Sequence, residues 1–510
     1  MADESSKICS YTGCDKPVNS PYDREHCIFH APKDRKGISD QEFNNLIFEQ
    51  INQSDFGFHG YIFPTWISFG HITFDGVANF SGARFQGKSH RLASGLTVKS
   101  CVGFDGTRFL RSANFNDTEF SCGDVLFQAA EFRGPAYFAA ARFLEGKAYF
   151  SRATFHDRVL LIFNTINEGL DFSEISLGRA SVFYFARPDF HANSTQGSQI
   201  TFSRVRFDPF TAYFERVFSD GQVQQEDILK RPVIIFRYCQ LKDVHFADND
   251  MSLFSFYKSS FDEARFTSCS WTHVKDTALR IPYRRRNVIS EEQLFSSLQN
   301  SIGSEKERQR IRERYEIKDL KDYTEIASLY RRMKTAMDRT KDYQEAGWFY
   351  FNEFEMKRLA SRGKEASGAS TGTSFRGCRR LLYWLYKVIA GYGEKPFWSF
   401  LWFCFFLIVF TSVHMLAGWQ VPGGDYMKYS LSPNKVGLAN VVSWHLWCDS
   451  LYSLGFAFSH VIPGSYLPYK MFGLYPSSFG GVWLSFLNTV VLLLFVIFIG
   501  IGLKRHFRRF

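Results

Sequence analysis

Hydrophobic positions in this chain follow three different periods, and each predicts a different element. Between residues 236 and 271, positions 236, 241, 246, 251, 256, 261, 266 and 271 read Phe, Leu, Phe, Met, Phe, Phe, Phe and Trp, an unbroken interval of five. A helix repeats every 3.6 residues and a strand every two, so neither produces this interval. A square coil does, if each five-residue unit forms one side and its central residue points inward. Upstream, Phe104, Phe109, Phe115, Phe120, Phe127, Phe132, Phe138, Phe143, Phe150 and Phe155 recur at 5, 6, 5, 7, 5, 6, 5, 7 and 5, so four of them span 23 residues. That spacing predicts a coil with longer corners, with Phe104, Phe127 and Phe150 in one vertical stack and Phe109, Phe132 and Phe155 in another. Small residues stand two positions before many of these, among them Ala113, Ala130, Ala136, Ala141, Ala148 and Ala153. Phe127, Phe138, Phe150, Phe236, Phe246, Phe256 and Phe266 are therefore expected in a core and not at a site. The repeats extend over 57–275, with an interruption near 187–231.

A helical period follows over 288–360. Leu329, Met333, Ala336 and Met337 share one face, Ala346, Phe349, Tyr350, Glu353 and Phe354 share another, and the pattern breaks near 340–342. This predicts a helical hairpin. Residues 361–374, rich in Ser and Gly, read as a flexible linker. Residues 375–396 read as a basic amphipathic segment lying on a membrane surface. Two uncharged apolar runs come next, 397–418 and 482–503, each of 22 residues. As helices they rise roughly 33 Å, enough for a bilayer core of about 30 Å. Between them Trp444, Trp447, Leu451, Leu454, Phe458 and Val461 recur at 3, 4, 3, 4 and 3, an amphipathic helix over 443–461 on the outer side of the two-span domain 397–510.

Charge refines this picture. The net charge of +10 is concentrated beside the apolar runs, at Arg376, Arg379, Arg380, Lys387 and Lys395 before the first and Lys504, Arg505, Arg508 and Arg509 after the second. The connector holds only Lys428, Lys435 and Lys470. By the positive-inside bias both termini face the cytoplasm across an inner (plasma) membrane, with lipids as partners. The basic balance at the membrane leaves no reason to expect nucleic acid as a partner. No cleavable leader is expected, because residues 1–30 are polar, and the ten Cys read as reduced thiols or metal ligands.

Four of those first residues carry chemistry. Cys9, Cys14, Cys27 and His30 form two close pairs separated by a loop, the donor set of a closed, structural Zn2+ knuckle over 1–36. His26 competes for the fourth place. Asn488 and Thr489 in the second run and Thr411, Ser412 and His414 in the first either line a pore or bond neighbouring helices. Ser453 and Gly455 belong to the segment SLGFA, which echoes a potassium-type filter, but Ala457 stands where the filter backbone needs glycine. Two helices cannot enclose a conduit, so a channel requires a homo-oligomer. No phosphate loop, nucleophile elbow or zinc-protease motif is present in the sequence, and no enzyme is expected.

The five-residue register resembles the pentapeptide-repeat family, whose units wind a right-handed quadrilateral β-helix. A helical hairpin before paired spans, and a Cys/His knuckle before the repeats, are similar to membrane-associated members of it. The resemblance implies a bacterial setting and an ion-channel-like two-span domain, but supplies no ligand. The long faces of a solenoid suit a cytoplasmic protein partner, and the expected function is an oligomeric membrane protein whose channel-like domain is regulated by or linked to that scaffold. The alternative is a non-conducting, membrane-anchored interaction scaffold. DNA mimicry, known among soluble members, fits neither the basic charge nor the spans.

Overall fold

The computed structural model describes residues 7–507 except 88–89, 92–96, 99, 122, 163, 179–180, 191–196, 208–211, 219–230, 262, 279–280, 301–304, 318–319, 321, 364–372, 418, 421–425, 428–443, 460, 462–474 and 477–478. The chain divides into two units, Met1–Asp342 and Tyr343–Phe510. The division falls inside the helical region 288–360 that the sequence pattern reads as one piece.

In the first unit short strands build four parallel sheets of six, eight, eight and five strands. The chain visits the four in turn, so each coil adds one rung to every sheet, forming a β-helix solenoid. Ala113 pairs with Ala136 and Ala136 with Val159, a coil of 23 residues. Each ladder position is therefore covered by its equivalent one coil away, and identical side chains stack. Phe69, Phe104, Phe127, Phe150, Phe172, Phe202, Phe236 and Phe256 form one continuous column, with ring centroids 4.7–5.5 Å apart. Phe109, Phe132 and Phe155 stack in a second column, as their spacing predicts. Phe115 and Phe138 stack in a third, and Phe214, Phe246 and Phe266 continue on the same sheet. All these rings are buried. The small positions are buried beside them, and where Thr or Asn replaces Ala its side chain bonds a neighbouring coil: Thr118 Oγ1 donates to the Phe80 carbonyl at 2.8 Å.

The stretch 187–231, where the spacing fails, still supplies rungs at Asp189–Phe190, Gln199–Ser203 and Ala212–Glu215. Phe183 pairs with Ala212 and Ala212 with Val244, so these coils lengthen to 29 and 32 residues while the ladders continue. One end of the solenoid is closed by helix α1 (Asp40–Asn52), whose Phe43 packs edge-on against Phe63. Helices α2 (Ser290–Asn300), α3 (Glu305–Arg314) and α4 (Tyr323–Arg339) meet the other end. There the buried Arg237 donates to the carbonyls of Tyr315 and Glu316 and to Ser255 Oγ, and Glu291 accepts from Ser255 Oγ at 2.9 Å.

The second unit holds α5 (Tyr343–Gly363), α6 (Thr373–Ala390), α7 (Pro396–Ala417), α8 (Trp444–Ser459) and α9 (Phe479–Phe507). Most of the predicted linker 361–374 lies outside the described residues. The basic segment 375–396 supplies α6, which packs on α5: Tyr383 and Tyr386 meet Phe354, and Lys387 reaches Glu355 at 3.1 Å. Leu381, Leu382 and Trp384 on α6 face outward. Helices α7 and α9 are long and apolar enough to cross a membrane, and only 22% of each apolar window is buried. Phe403, Leu492 and Phe495 pack between them, while Phe397, Phe405, Ile408, Trp483 and Leu494 are exposed, unlike the side chains of a core helix in a water-soluble domain. The two run antiparallel, since Gly502 near the end of α9 abuts Pro396 at the start of α7.

Candidate functional site

The N-terminal knuckle is built by a short bridge between Ile8 and Pro17, which brings Cys9 and Cys14 together, and by a tight turn over Cys27–Ala31, which sets His30 beside Cys27. The four ligand atoms lie within 4.8 Å of one another. Nδ1 of His30 is 3.1 Å from Cys27 Sγ and 3.5 Å from Cys9 Sγ, and Cys14 Sγ is 3.8 Å from Cys27 Sγ. His26 is engaged elsewhere, with Nδ1 3.5 Å from Asp23 Oδ2. Burial pushes the Cys27 thiol up to about 12 and raises Cys14 as well. A divalent cation reverses that tendency, because it binds thiolate and not thiol. Three thiols and an imidazole nitrogen converging at this distance fit tetrahedral zinc.

Sequence spacing does not reveal what holds the knuckle. Nε2 of His30 bonds the His59 carbonyl at 2.8 Å, and the Tyr11 ring stacks on the His30 ring at 4.0 Å. Lys36 is buried, donates to the Ile28 carbonyl at 2.7 Å, and burial brings its amine down to about 7. A lone lysine in a charged segment gives no sign of such burial.

The second candidate is the polar seam of the helical bundle. Helix α8 does not lie across the ends of α7 and α9; it runs beside them, antiparallel to α7. Ser450 Oγ lies 3.7 Å from Met415 Sδ, Ser453 Oγ donates to the Thr411 carbonyl at 2.9 Å, and the Phe458 ring meets that of Phe403. The contacts thus descend along α7. The apolar stripe faces the opposite way from that of an amphipathic helix packed on a protein: Trp447, Leu451 and Phe458 are exposed, while Ser453, Phe456 and Ala457 are buried. Ser453–Ala457 is helical throughout and Gly455 half-buried within it, so its carbonyls do not form a filter loop.

Asn488 is buried and its Nδ2 donates to the Ala457 carbonyl at 3.2 Å, while its Oδ1 accepts no bond. Thr489 bonds back to the Ser485 carbonyl at 3.0 Å within α9. His414 is buried, with its ring edge-on to Phe456 at 5.2 Å. The seam therefore brings Thr411, His414, Ser453 and Asn488 together within one chain, and Thr489 stands aside from it.

Residues 121–161 match the family model described as Pentapeptide repeats (9 copies). This segment carries pentapeptide repeats. It coincides with the coils in which Phe127, Phe138, Phe150 and Phe155 stack. Searches of curated proteins and of solved structures return no match to the chain.

Proposed function

We propose that the chain is an oligomeric membrane protein whose channel-like domain, formed by α7, α8 and α9, is linked to a cytoplasmic pentapeptide-repeat scaffold. The observation that carries this reading is α8 itself. A third helix packed along α7, bonded to it through Ser453 and to α9 through the Asn488 amide on the Ala457 carbonyl, supports a helical membrane domain with a polar seam. In this reading the solenoid is a right-handed, four-sided coil, both termini lie in the cytoplasm of a bacterial cell, and α6 rests on the inner leaflet. The knuckle binds structural zinc, and the β-helix surface binds a protein partner that biases the state of the spans. Catalysis has no part in it. Purified protein in planar bilayers is expected to pass current that changes with Asn488→Leu; no conductance across ionic conditions overturns the proposal.

The second reading, a non-conducting anchored scaffold, is favoured by one observation. Ser453 Oγ and the Asn488 amide nitrogen both bond main-chain carbonyls of the same chain, as expected of residues that hold helices together. Replacing both spans by unrelated ones separates the readings, because an anchor then keeps its cellular activity.

A further inference from the structure

The three sulfurs of the knuckle differ in their access to solvent. Cys9 and Cys27 are buried, at 6% and 1% exposure, whereas Cys14 is half-buried. Its neighbours Thr12 and Gly13 are exposed, and a Cβ on Gly13 meets nothing within 4 Å. The turn before Cys14 therefore leaves room for a small reagent to approach that sulfur from solvent.

Cys27 Sγ lies 3.8 Å from Cys14 Sγ. A disulfide needs about 2 Å between the sulfurs, so the pair has to close by roughly 2 Å. Cys14 has room to make that movement, because it follows the exposed Gly13 in left-handed backbone, while Cys27 opens the hydrogen-bonded turn Cys27–Ala31. A cation bound in the knuckle holds its sulfurs as thiolates, the form that attacks electrophiles. An accessible thiolate with a second thiolate in reach is the arrangement that reversible oxidation to a disulfide requires.

We propose that Cys14 is a site of oxidation by a small hydroperoxide and that Cys27 resolves it as a Cys14–Cys27 disulfide. This deepens the structural-zinc reading and rests on it. Cys14 Sγ attacks the terminal peroxide oxygen, which keeps its proton; the O–O bond breaks, and the departing alkoxide or hydroxide takes a proton from water. Cys27 Sγ then attacks the sulfenic acid at Cys14 Sγ, the S–O bond breaks, the S–S bond forms and hydroxide leaves. The two sulfurs have given up two electrons, and the peroxide has taken them. The bond removes two of the four donors, and Cys9 with His30 alone cannot complete a tetrahedral site. Oxidation is thereby converted into loss of the metal from the closure of the solenoid.

The test takes full-length protein in detergent, measures its zinc by mass spectrometry, and then adds hydrogen peroxide in increasing amounts. Remaining thiols are alkylated and the peptides are mapped without reduction. The expected result is loss of the zinc in step with a Cys14–Cys27 disulfide, one peroxide being consumed for each, and recovery of thiols and metal on adding dithiothreitol and zinc. Zinc that survives the peroxide overturns the proposal, and so does a disulfide to Cys9 or earlier oxidation at another cysteine. Protein that carries no zinc before peroxide is added sinks the zinc reading and this proposal with it, so the two failures are read at different stages.

Discussion

His30 Nε2 donates to the main-chain carbonyl of His59 at 2.8 Å, and that bond ties the Cys/His knuckle to the first coil of the solenoid. It fixes the imidazole with Nδ1 towards the thiols, since a nitrogen that donates to a carbonyl is not the one that binds a cation. The knuckle is thereby part of the closure of the β-helix. Purified protein is expected to hold one zinc per chain. Cys14→Ser and Cys27→Ser are each expected to lose most of it, whereas His26→Ala keeps it. Metal analysis by mass spectrometry checks this, and unchanged zinc in the Cys variants refutes the assignment.

Gly60 and Gly13 both adopt left-handed backbone, at φ +69° and +83°, but only Gly60 lies against Tyr11; a Cβ on Gly13 meets nothing within 4 Å. Alanine in this conformation costs about 1 kcal/mol at either position. Gly60→Ala adds a collision with the Tyr11 ring, which stacks on His30. It is therefore expected to weaken zinc retention under chelator challenge, while Gly13→Ala lowers stability slightly and leaves retention near wild type. Equal retention in the two variants removes Tyr11 from the account.

Phe127 lies between Phe104 at 4.9 Å and Phe150 at 4.7 Å, fully buried. Phe127→Ala leaves a cavity in a column that cannot collapse without moving its neighbours, and is expected to cost about 3–5 kcal/mol. Phe127→Leu keeps more of the volume and costs less. Because coils in a solenoid interact chiefly with their neighbours, hydrogen exchange is expected to quicken first in the coils of Phe104 and Phe150. Uniform loss of protection across the chain argues against a ladder.

The ladder was legible in sequence because about five residues make one side of the coil and four sides bring an equivalent ring back onto the same stack, as Phe104 and Phe127 show; a five-residue period has few other physical causes. Between 187 and 231 the same ladder was hidden, since extra residues between strands change the interval without changing the rungs, as Phe183 and Ala212 show. The donor set Cys9, Cys14, Cys27 and His30 was legible because metal chemistry restricts residue type and spacing. Its supports Tyr11 and His59 were not, because a backbone carbonyl or a stacked ring leaves no mark in composition. The stripe of α8 gave a helix and not its orientation. Periodicity separates two faces, but only the surroundings decide which of them packs inward, and Ser453, Phe456 and Ala457 do so here. Lys387, which the sequence places in the basic segment on the membrane surface, instead meets Glu355, 32 positions away, because α6 packs on α5.

That pair gives the protein a pH dependence with a definite sign. The Glu355 carboxylate is buried and accepts from Arg358 Nη2 at 2.6 Å, Lys387 Nζ at 3.1 Å and the Tyr392 hydroxyl at 3.0 Å. Burial alone pushes its pKa up; the two cations outweigh it and bring it from 4.5 down to about 2. A carboxyl depressed by folding stabilises the native state fully above its unfolded pKa and loses that contribution as pH falls through the folded one. The window therefore runs from about pH 4.5 down to about pH 2, and at ~1.4 kcal/mol per pKa unit the contribution is on the order of 3 kcal/mol. Glu355→Gln is expected to flatten this window in thermal unfolding of the detergent-solubilised full chain. At neutral pH it is expected to cost about 3–5 kcal/mol, because it leaves Lys387 buried without its carboxylate. Wild type and variant losing stability in parallel across the window shows that Glu355 does not govern it.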